Sequence, residues 1–396
     1  MNKTKQNEYT PDTVSAPGET LCEVLEDRGI TQQELAERLG MAPKTVNEII
    51  KGKAPLTHDT ALALERVLGI SAGFWNRLEA AYQESLARQR DRARLARAQE
   101  WLDGFPLKPM IAKNYIQQRD NMIEQAYELL RFLRCASPVE WNLRTAALGH
   151  FRHSKKQESD PNALGVWLQH GENIARALDC AAYDAAQFQK TLQILRGCTF
   201  QTQEVFLPEL VRRCQECGVA VALVPALPKA NVCGFTRWLG PNKALLQLSD
   251  RYKRADIFWF SFFHEAGHIL KHGKKDMFLE QDGERGEDAK EREADRFAAD
   301  LLIPPAMYRK IEIEGCYTRA KIEAWAEQFG VAPCILVGRL RHEKRLPQSH
   351  LSDLLTSIDL TAFAAGTPDK REPLKRLAEQ SAGRIGGGQT GAEDAP

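Results

Sequence analysis

The chain of 396 residues lacks the long apolar segments that direct proteins into or across membranes. Its N-terminal segment, MNKTKQNEYTPDTVSAPGET, has no apolar run like that of a signal peptide. No later stretch reaches the roughly 18 apolar residues that a membrane-spanning helix needs. These absences predict a cytoplasmic protein without a membrane partner.

A disulfide framework and a large excess of one charge are also absent. The nine cysteines are odd in number and scattered over a long chain, which favours reduced thiols over disulfides. The net charge is only +1, so the whole chain exerts no strong attraction on nucleic acid. Any binding to DNA must therefore depend on a local basic patch.

What the sequence does contain is typical of a globular protein, with 43% hydrophobic and 27% charged residues. The chain is too long for one ordinary core, because a domain usually takes about 150 residues. Helical periodicity dominates, but strand patterns follow Gly218 in the segments VAVALVPAL, CGFTRWL and KALLQLS. The predicted fold class is therefore mainly α with a small β-sheet.

Two short helices joined by a glycine turn are predicted near the N-terminus. Thr31 followed three residues later by Glu34 is a capping box that begins the first of them. Pro43 suits the first position of the second helix, which turns Val46 toward the interior. Short polar residues on the outer face of that second helix could reach base edges or phosphates. The candidates for DNA contact on and after this helix are Lys44, Thr45, Asn47 and Lys51.

Two interpretations of these helices remain open. In one they form a helix-turn-helix that reads DNA, and the clustered lysines supply the phosphate contacts. In the other the same helical bundle serves for protein contact, and the excess of acidic over basic residues between residues 19 and 84 is in its favour.

The segments ITQQELAERLGMAPKTVNEIIKGK and LTHDTALALERVLGISAGFWNRLEAAY resemble the XRE-type, lambda-repressor-like domain. Within that group they are similar to HigA-type antidote proteins of plasmid-maintenance modules. The resemblance implies a five-helix domain, frequent dimerisation and hence a possible homodimer. It also implies that Gln32 touches operator DNA beside the recognition helix.

A second motif, HEAGH at residues 264–268, has the HExxH arrangement. A helix brings positions i and i+4 to one face, so His264 and His268 can direct their rings at one ion. Zinc suits two imidazoles and one carboxylate, and it leaves a fourth position for a water whose pKa the metal lowers. Glu265 would accept the proton of that water and pass it to the leaving amine. The motif predicts a zinc metalloendopeptidase site.

The third metal ligand is expected on the helix KEREADRFAADLLIPP. Glu291 can supply it, and Asp295, one turn further, can hydrogen-bond a ligand histidine. Glu293 is the competing third ligand, although it points away if Glu291 points inward. His272 continues the row of histidines, but it lies too far along a straight helix to share one tetrahedral ion.

The stretch from about Val219 to Leu340 resembles the ImmA/IrrE family of zinc peptidases, with FWFSFFHEAGHILKHG and EREADRFAADLLIP as the matching motifs. The resemblance implies a domain that cleaves or otherwise inactivates a repressor protein. The joining of an antidote-like helix-turn-helix to such a domain is itself a known architecture.

One sequence pattern occurs twice in the chain, as an internal repeat. LAERLGMAPKTV at 35–46 recurs in outline as WAEQFGVAPCIL at 325–336. In the second copy the apolar residues Cys334, Ile335 and Leu336 follow the Ala-Pro pair, where the first copy exposes polar ones. We therefore predict that the second copy is a packing motif and does not read DNA.

Together the motifs favour a transcriptional regulator or antitoxin that binds operator DNA and carries a zinc endopeptidase acting on a regulatory protein, such as a repressor or toxin. In the alternative, the zinc domain senses or binds a partner without proteolysis; an intact Glu265 favours the first hypothesis. The predicted segments are a flexible tail (1–16), a five-helix, lambda-repressor-like DNA-binding domain (17–84), a helical connecting region (85–200), an α+β zincin-like metallopeptidase domain (201–347) and a largely disordered tail (348–396).

Overall fold

A computed structural model describes residues 15–148, 159–273, 277–281, 289–361 and 363. Most of the predicted N-terminal tail, and the predicted C-terminal tail from residue 364 onward, lie outside the described residues. The chain divides into two compact units, Met1–Gln99 and Glu100–Pro396. Within the described ranges no helix is long and apolar enough to span a membrane.

The first unit contains five helices, as predicted. They are α1 (Pro17–Arg28), α2 (Gln32–Leu39), α3 (Pro43–Ile50), α4 (His58–Leu68) and α5 (Ala72–Leu95). Their buried residues form one core that includes Leu35, Leu64 and Trp75. The predicted cap is present, since Thr31 Oγ1 accepts a hydrogen bond from the Glu34 amide at 3.1 Å.

The start of α1 packs tightly on the end of α3. A Cβ atom added at Gly18 would lie 2.3 Å from the carbonyl oxygens of both Ile49 and Ile50. These are backbone atoms, which cannot move aside as a flexible side chain could. A residue without a side chain is therefore required where these two helices meet.

The second unit begins with helices that precede its sheet. They are α6 (Gln99–Asp103), α7 (Leu107–Ala112), α8 (Met122–Leu133), α9 (Pro138–Leu148), α10 (Pro161–Ala177), α11 (Ala185–Gly197) and α12 (Gln203–Gln215). Helix α10 lies against the sheet that follows. The Trp167 indole donates to the Val224 carbonyl at 3.1 Å, and the Gln247 amide donates to the Trp167 carbonyl at 2.7 Å.

A buried charge cluster joins these helices to the sheet. Glu172 on α10 accepts from Arg176 Nε at 2.7 Å and lies 3.3 Å from Arg144 Nη2. It also pairs with Arg237 from the sheet. One carboxylate is thus shared by three guanidinium groups from different parts of the unit.

Four strands form a mixed sheet in the order β1-β3-β2-β4. They are β1 (Val219–Leu223), β2 (Val232–Gly240), β3 (Lys243–Leu248) and β4 (Met277–Gln281). Strand β1 pairs with β3 in parallel, whereas β2 is antiparallel to both β3 and β4. The first three strands lie where the sequence predicts them. The fourth does not follow from the sequence pattern, because MFLEQ is too short to show alternation.

The remaining helices are α13 (Ala255–Lys271), α14 (Ala289–Leu302), α15 (Pro305–Glu314), α16 (Arg319–Phe329) and α17 (Pro333–His342). Helix α13 is buried along most of its length, and its aromatic residues Trp259, Phe262 and Phe263 belong to the main core. The apolar run before the HExxH motif therefore anchors that helix in the interior. The expected class, mainly helical with a small sheet, is confirmed.

The second copy of the internal repeat lies in α16 and α17. Cys334, Ile335 and Leu336 are all buried, as the prediction of a packing motif requires. Residues 348–361, which the sequence assigns to a largely disordered tail, also pack on this domain. Ile358 and Leu360 are buried in its core, and Leu351, Leu354 and Leu355 of the same stretch pack against it.

Candidate metal centre

Two histidines one turn apart on α13 face a carboxylate on α14. His264 Nε2 and His268 Nε2 lie 2.9 Å apart, and both side chains are buried. Glu291 Oε2 lies 3.1 Å from His264 Nε2, and its Oε1 lies 3.4 Å from His268 Nε2. Donor atoms of the three residues all fall within 4.8 Å of one another. The structure brings these three sequence-predicted candidates together.

The chemistry of this donor set fits a zinc ion. Two imidazoles and one carboxylate are a ligand combination of catalytic zinc sites. Burial lowers the pKa of His268, which favours the neutral ring that can bind a metal. Burial alone would raise the pKa of Glu291, but hydrogen bonds with the two histidines outweigh it and lower the pKa to about 2. A neutral His268 and an ionised Glu291 are the forms that bind a metal.

Asp295 contacts the far side of one imidazole. Its Oδ1 lies 2.9 Å from His264 Nδ1. An ionised carboxylate can only accept, so the ring donates through Nδ1–H, and Nε2 is the nitrogen that faces Glu291 and would bind a metal. Asp295 therefore occupies the supporting position predicted for it.

The competing candidates contact each other. Glu293 Oε2 lies 3.4 Å from His272 Nε2, and about half of the Glu293 side chain is exposed. His272, just beyond the end of α13, places Nδ1 2.9 Å from His268 Nδ1, on the opposite side of that ring from Nε2. The described ligand cluster contains Glu291 and neither of these two residues.

A glycine lets the two helices come close enough for this arrangement. A Cβ atom at Gly267 would lie 3.0 Å from Phe297 Cδ1 and 3.3 Å from Ala294 Cα. A larger residue would push α14 away from α13. The glycine of the HEAGH motif thus helps Glu291 to reach the histidines.

Glu265 lies fully buried against strand β2. A Cβ atom at Gly234 would lie 2.5 Å from Glu265 Oε1 and 2.8 Å from its Cγ. Thr236 Oγ1 on the same strand donates to the Glu265 carbonyl at 3.5 Å. Sequence reasoning did not identify Gly234, although a glycine inside the strand CGFTRWL signals a close backbone approach. Strand β2 therefore fixes the position of the Glu265 carboxylate.

The candidates for DNA contact lie in the first unit. Lys44, Thr45 and Asn47 are on α3, Lys51 follows its last residue, and Gln32 is the first residue of α2. Gln32, Lys44 and Lys51 are exposed, whereas the other two are half-buried. Lys44 Nζ lies 3.8 Å from Glu48 Oε1, an exposed contact that holds the lysine only weakly.

Comparison with known proteins divides the chain in the same way. Residues 23–75 match the helix-turn-helix family, and residues 227–341 match the family described as IrrE N-terminal-like domain, a peptidase family. The chain therefore belongs to the XRE-type helix-turn-helix family through its first unit and carries an IrrE/ImmA-like peptidase-family domain in its second.

Two curated relatives each match less than a fifth of the chain. Virulence-associated protein I of Dichelobacter nodosus is 38% identical over 74 residues, which is 18% of this chain and 68% of the relative. The uncharacterized HTH-type transcriptional regulator YddM of Escherichia coli strain K12 is 33% identical over 66 residues, 17% of this chain and 70% of the relative.

Two solved structures each match about a fifth of the chain. An addiction module antidote protein of the HigA family from Coxiella burnetii is 30% identical, with 21% of this chain and 91% of that chain covered and a TM-score of 0.20. The Pseudomonas aeruginosa antitoxin HigA with the higBA promoter is also 30% identical, with 21% and 90% covered and a TM-score of 0.20.

Proposed function

We propose that this chain is a DNA-binding transcriptional regulator or antitoxin that carries a zinc-dependent endopeptidase acting on a regulatory protein. The observation that carries the peptidase half is the position of Glu265. In the sequence, Glu265 lies between the two histidines of the candidate metal centre. Its carboxylate is buried and packs against strand β2. A purely structural metal site would not need a general base.

The residues that would hold the metal are His264, His268 and Glu291, with Asp295 orienting the first of them. Bound zinc supplies Lewis acidity, which polarises a carbonyl group and lowers the pKa of a nearby water molecule. Glu265 accepts the proton released from the attacking water and returns it to the leaving amine. Both histidine side chains are buried, so bulk water has little access to them.

The first unit would supply the regulatory half. Helix α3 presents Lys44 and Asn47, and exposed Lys51 and Gln32 flank it, in the places where a helix-turn-helix contacts bases and phosphates. The relative YddM is named as a transcriptional regulator. We propose operator DNA as partner and the cytoplasm as compartment, where the nine free thiols stay reduced. A homodimer, as is frequent among such domains, belongs to the same proposal.

The second candidate function keeps the metal but not the proteolysis. In it the zinc domain binds or senses a partner protein, and DNA release follows from that contact. The close packing of Gly234 on Glu265 favours catalysis over this alternative, because it fixes a carboxylate that a sensor would not use.

Metal analysis combined with a proteolysis assay separates these possibilities. We expect about one zinc per wild-type chain, strong loss of zinc in His264→Ala, and retention of zinc in Glu265→Gln. Fragments of a candidate repressor, or of the chain itself, should appear with the wild type and not with Glu265→Gln. Absence of zinc from the wild type would refute both metal hypotheses, and equal fragmentation by both proteins would refute the role of Glu265.

The DNA proposal is tested by selection from a pool of random duplexes, because the operator is unidentified. The wild type should enrich one sequence, and a Lys44→Ala/Asn47→Ala double variant should not. Arg66→Ala, an exposed arginine on α4, is the matched control and should enrich the same sequence as the wild type. Equal enrichment by the double variant would contradict the assigned reading face.

A further inference from the structure

A cavity of about 570 Å³ lies between α13, α14 and α17, beside the candidate metal centre. Its size is within the range of about 300 to 1,000 Å³ that is usual for small-molecule sites. Much of its wall is apolar. The apolar lining includes Ile257, Phe260, Ala299, Ile303 and Ile335.

Two of the arginines in the wall are already neutralised by acids in the same wall. Arg254 Nε donates to Asp256 Oδ1 at 3.0 Å, and Arg339 pairs with Glu343. These pairs contribute polarity to the cavity without an excess of charge. They therefore do not by themselves attract an ion.

Arg341 differs from both. Its side chain is buried, and its Nη2 donates only to neutral groups, the His350 carbonyl at 2.7 Å and Ser352 Oγ at 2.8 Å. Its Nε has no hydrogen-bond partner, and among the residues that the structure describes Arg341 forms no ion pair. Burial lowers the pKa of its guanidinium. Asp256 attracts this guanidinium, but it already pairs with Arg254, so the buried Arg341 has no carboxylate of its own in this wall.

We propose that the cavity binds a small amphipathic acid, with its anionic group at Arg341 and its hydrocarbon part against the apolar wall. A carboxylate matches the planar guanidinium in shape and charge. The apolar lining explains why the ligand is an acid with a hydrocarbon body, since a bare inorganic anion would leave that wall in contact with water only.

The cavity also connects to the metal centre. Asp295 lies in its wall and hydrogen-bonds His264 on the other side. None of the three candidate metal ligands belongs to the lining that the structure describes. A bound acid would therefore act on the metal site through Asp295, and the two ligands must influence each other's affinity reciprocally.

Binding is tested on the metal-free full-length protein, so that the result does not depend on the zinc proposal. Octanoate, octanol and octylamine are compared by calorimetry. We expect saturable binding of octanoate, and binding at least about tenfold weaker for the alcohol and the amine, because only the acid neutralises Arg341. Equal affinity for all three probes, or no binding of octanoate, would overturn the proposal.

Variants locate the binding. Ala299→Phe fills the cavity from its apolar wall and should abolish octanoate binding, whereas Arg309→Gln, an exposed arginine outside the lining, should not. Arg341→Gln should remove the preference for the acid; if that variant does not fold, Ala299→Phe and the probe series still decide. Binding of octanoate that persists in Ala299→Phe would place it elsewhere and refute the assignment.

Two further experiments test which kind of acid binds and whether its binding changes the affinity for zinc. A hexapeptide with a C-terminal leucine, compared with its amidated form, distinguishes a free acid from a protein terminus; binding of the peptide acid without octanoate would contradict the proposal. Octanoate should change zinc affinity, measured by chelator competition, by at least about fivefold in the wild type and not in Ala299→Phe. An unchanged zinc affinity with bound octanoate would refute the coupling.

Discussion

The Nδ1 atom of His264 lies 2.9 Å from Oδ1 of Asp295, and this contact determines which ring nitrogen faces Glu291. Because the carboxylate accepts the Nδ1 proton, Nε2 is the nitrogen on the side where the other candidate ligands converge. A partner of this kind also makes the imidazole a stronger base. Helix α14 therefore contacts the histidines of α13 through two residues, Asp295 and Glu291.

Replacing Asp295 tests this relationship. We expect Asp295→Ala to bind zinc about 10 to 100 times more weakly than the wild type, because the ring loses the group that orients it. Chelator competition measures the affinity, and circular dichroism checks that the helices are intact. Asp300→Ala on the exposed face of the same helix is the control and should bind zinc as the wild type does. Unchanged affinity in Asp295→Ala would show that the contact does not support the metal.

The contact between Gly234 and Glu265 gives a second prediction. The added methyl group of Gly234→Ala would meet the Glu265 carboxylate at 2.5 Å, so the strand or the carboxylate must shift. We expect a loss of about 1 to 3 kcal/mol in the free energy of unfolding. Proteolysis, where measurable, should fall more than zinc content.

Gly240→Ala is the matched control on the same strand. A Cβ atom at Gly240 meets nothing within 4 Å, so this variant should be nearly as stable as the wild type. Thermal unfolding of both variants decides the matter. Equal melting temperatures for Gly234→Ala and Gly240→Ala would contradict the close packing of β2 against Glu265.

The site residues could be predicted because each part of the site lies within a short segment. One helix turn joins His264 to His268, and another joins Glu291 to Asp295. The contact of Gly234 with Glu265 could not be predicted in the same way. It depends on how strand β2 crosses helix α13, which is a property of the whole sheet.

The same reason explains which elements of the fold could be predicted from the sequence and which could not. The five helices of the first unit carry caps and apolar faces that can be read locally, such as Thr31 at the start of α2. Strand β4 has only five residues and gains its definition from pairing with β2. The apolar residues of the stretch 348–361 are interspersed with polar ones, and only the core that receives Ile358 and Leu360 explains why this stretch packs on the domain.

A third prediction concerns the packing of α1 on α3. Gly18→Ala places a methyl group 2.3 Å from two backbone carbonyl oxygens, so the helices must separate. We expect the first unit to lose about 3 kcal/mol of stability and to lose DNA binding with it, because α3 carries the candidate contact residues. Hydrogen exchange of the full chain should show faster exchange in the five helices of the first unit and unchanged exchange in the second unit.

Gly73→Ala provides the comparison within the same unit. Gly73 lies in α5, and an added Cβ would contact only the end of the flexible Arg77 side chain, at 3.4 Å. Alanine is favoured over glycine inside a helix, so this variant should gain about 0.5 to 1 kcal/mol. A destabilised Gly73→Ala together with an unaffected Gly18→Ala would contradict the packing described for the first unit.

The fourth prediction concerns pH and the charge cluster at Glu172. Burial alone would raise the pKa of this carboxyl, but Arg176, Arg237 and Arg144 outweigh burial and lower it. The folded pKa is thus below the value of about 4.3 that a glutamate has in the unfolded chain. As the pH falls, the unfolded chain takes up the proton first. The contribution of Glu172 to stability is therefore complete above about pH 4.3 and is lost as the pH falls through the folded pKa.

Glu172→Gln should remove this part of the pH dependence and also destabilise the second unit. It leaves the half-buried guanidinium of Arg237 without its carboxylate, so the expected loss is about 2 kcal/mol at neutral pH. Glu216→Gln breaks an exposed pair with Arg212 and should cost less than about 1 kcal/mol. Urea unfolding between pH 7 and pH 3 measures both effects. If wild type and Glu172→Gln lose stability in parallel over that range, the three arginines do not depend on this carboxylate, and the link between α10 and β2 lies in packing alone.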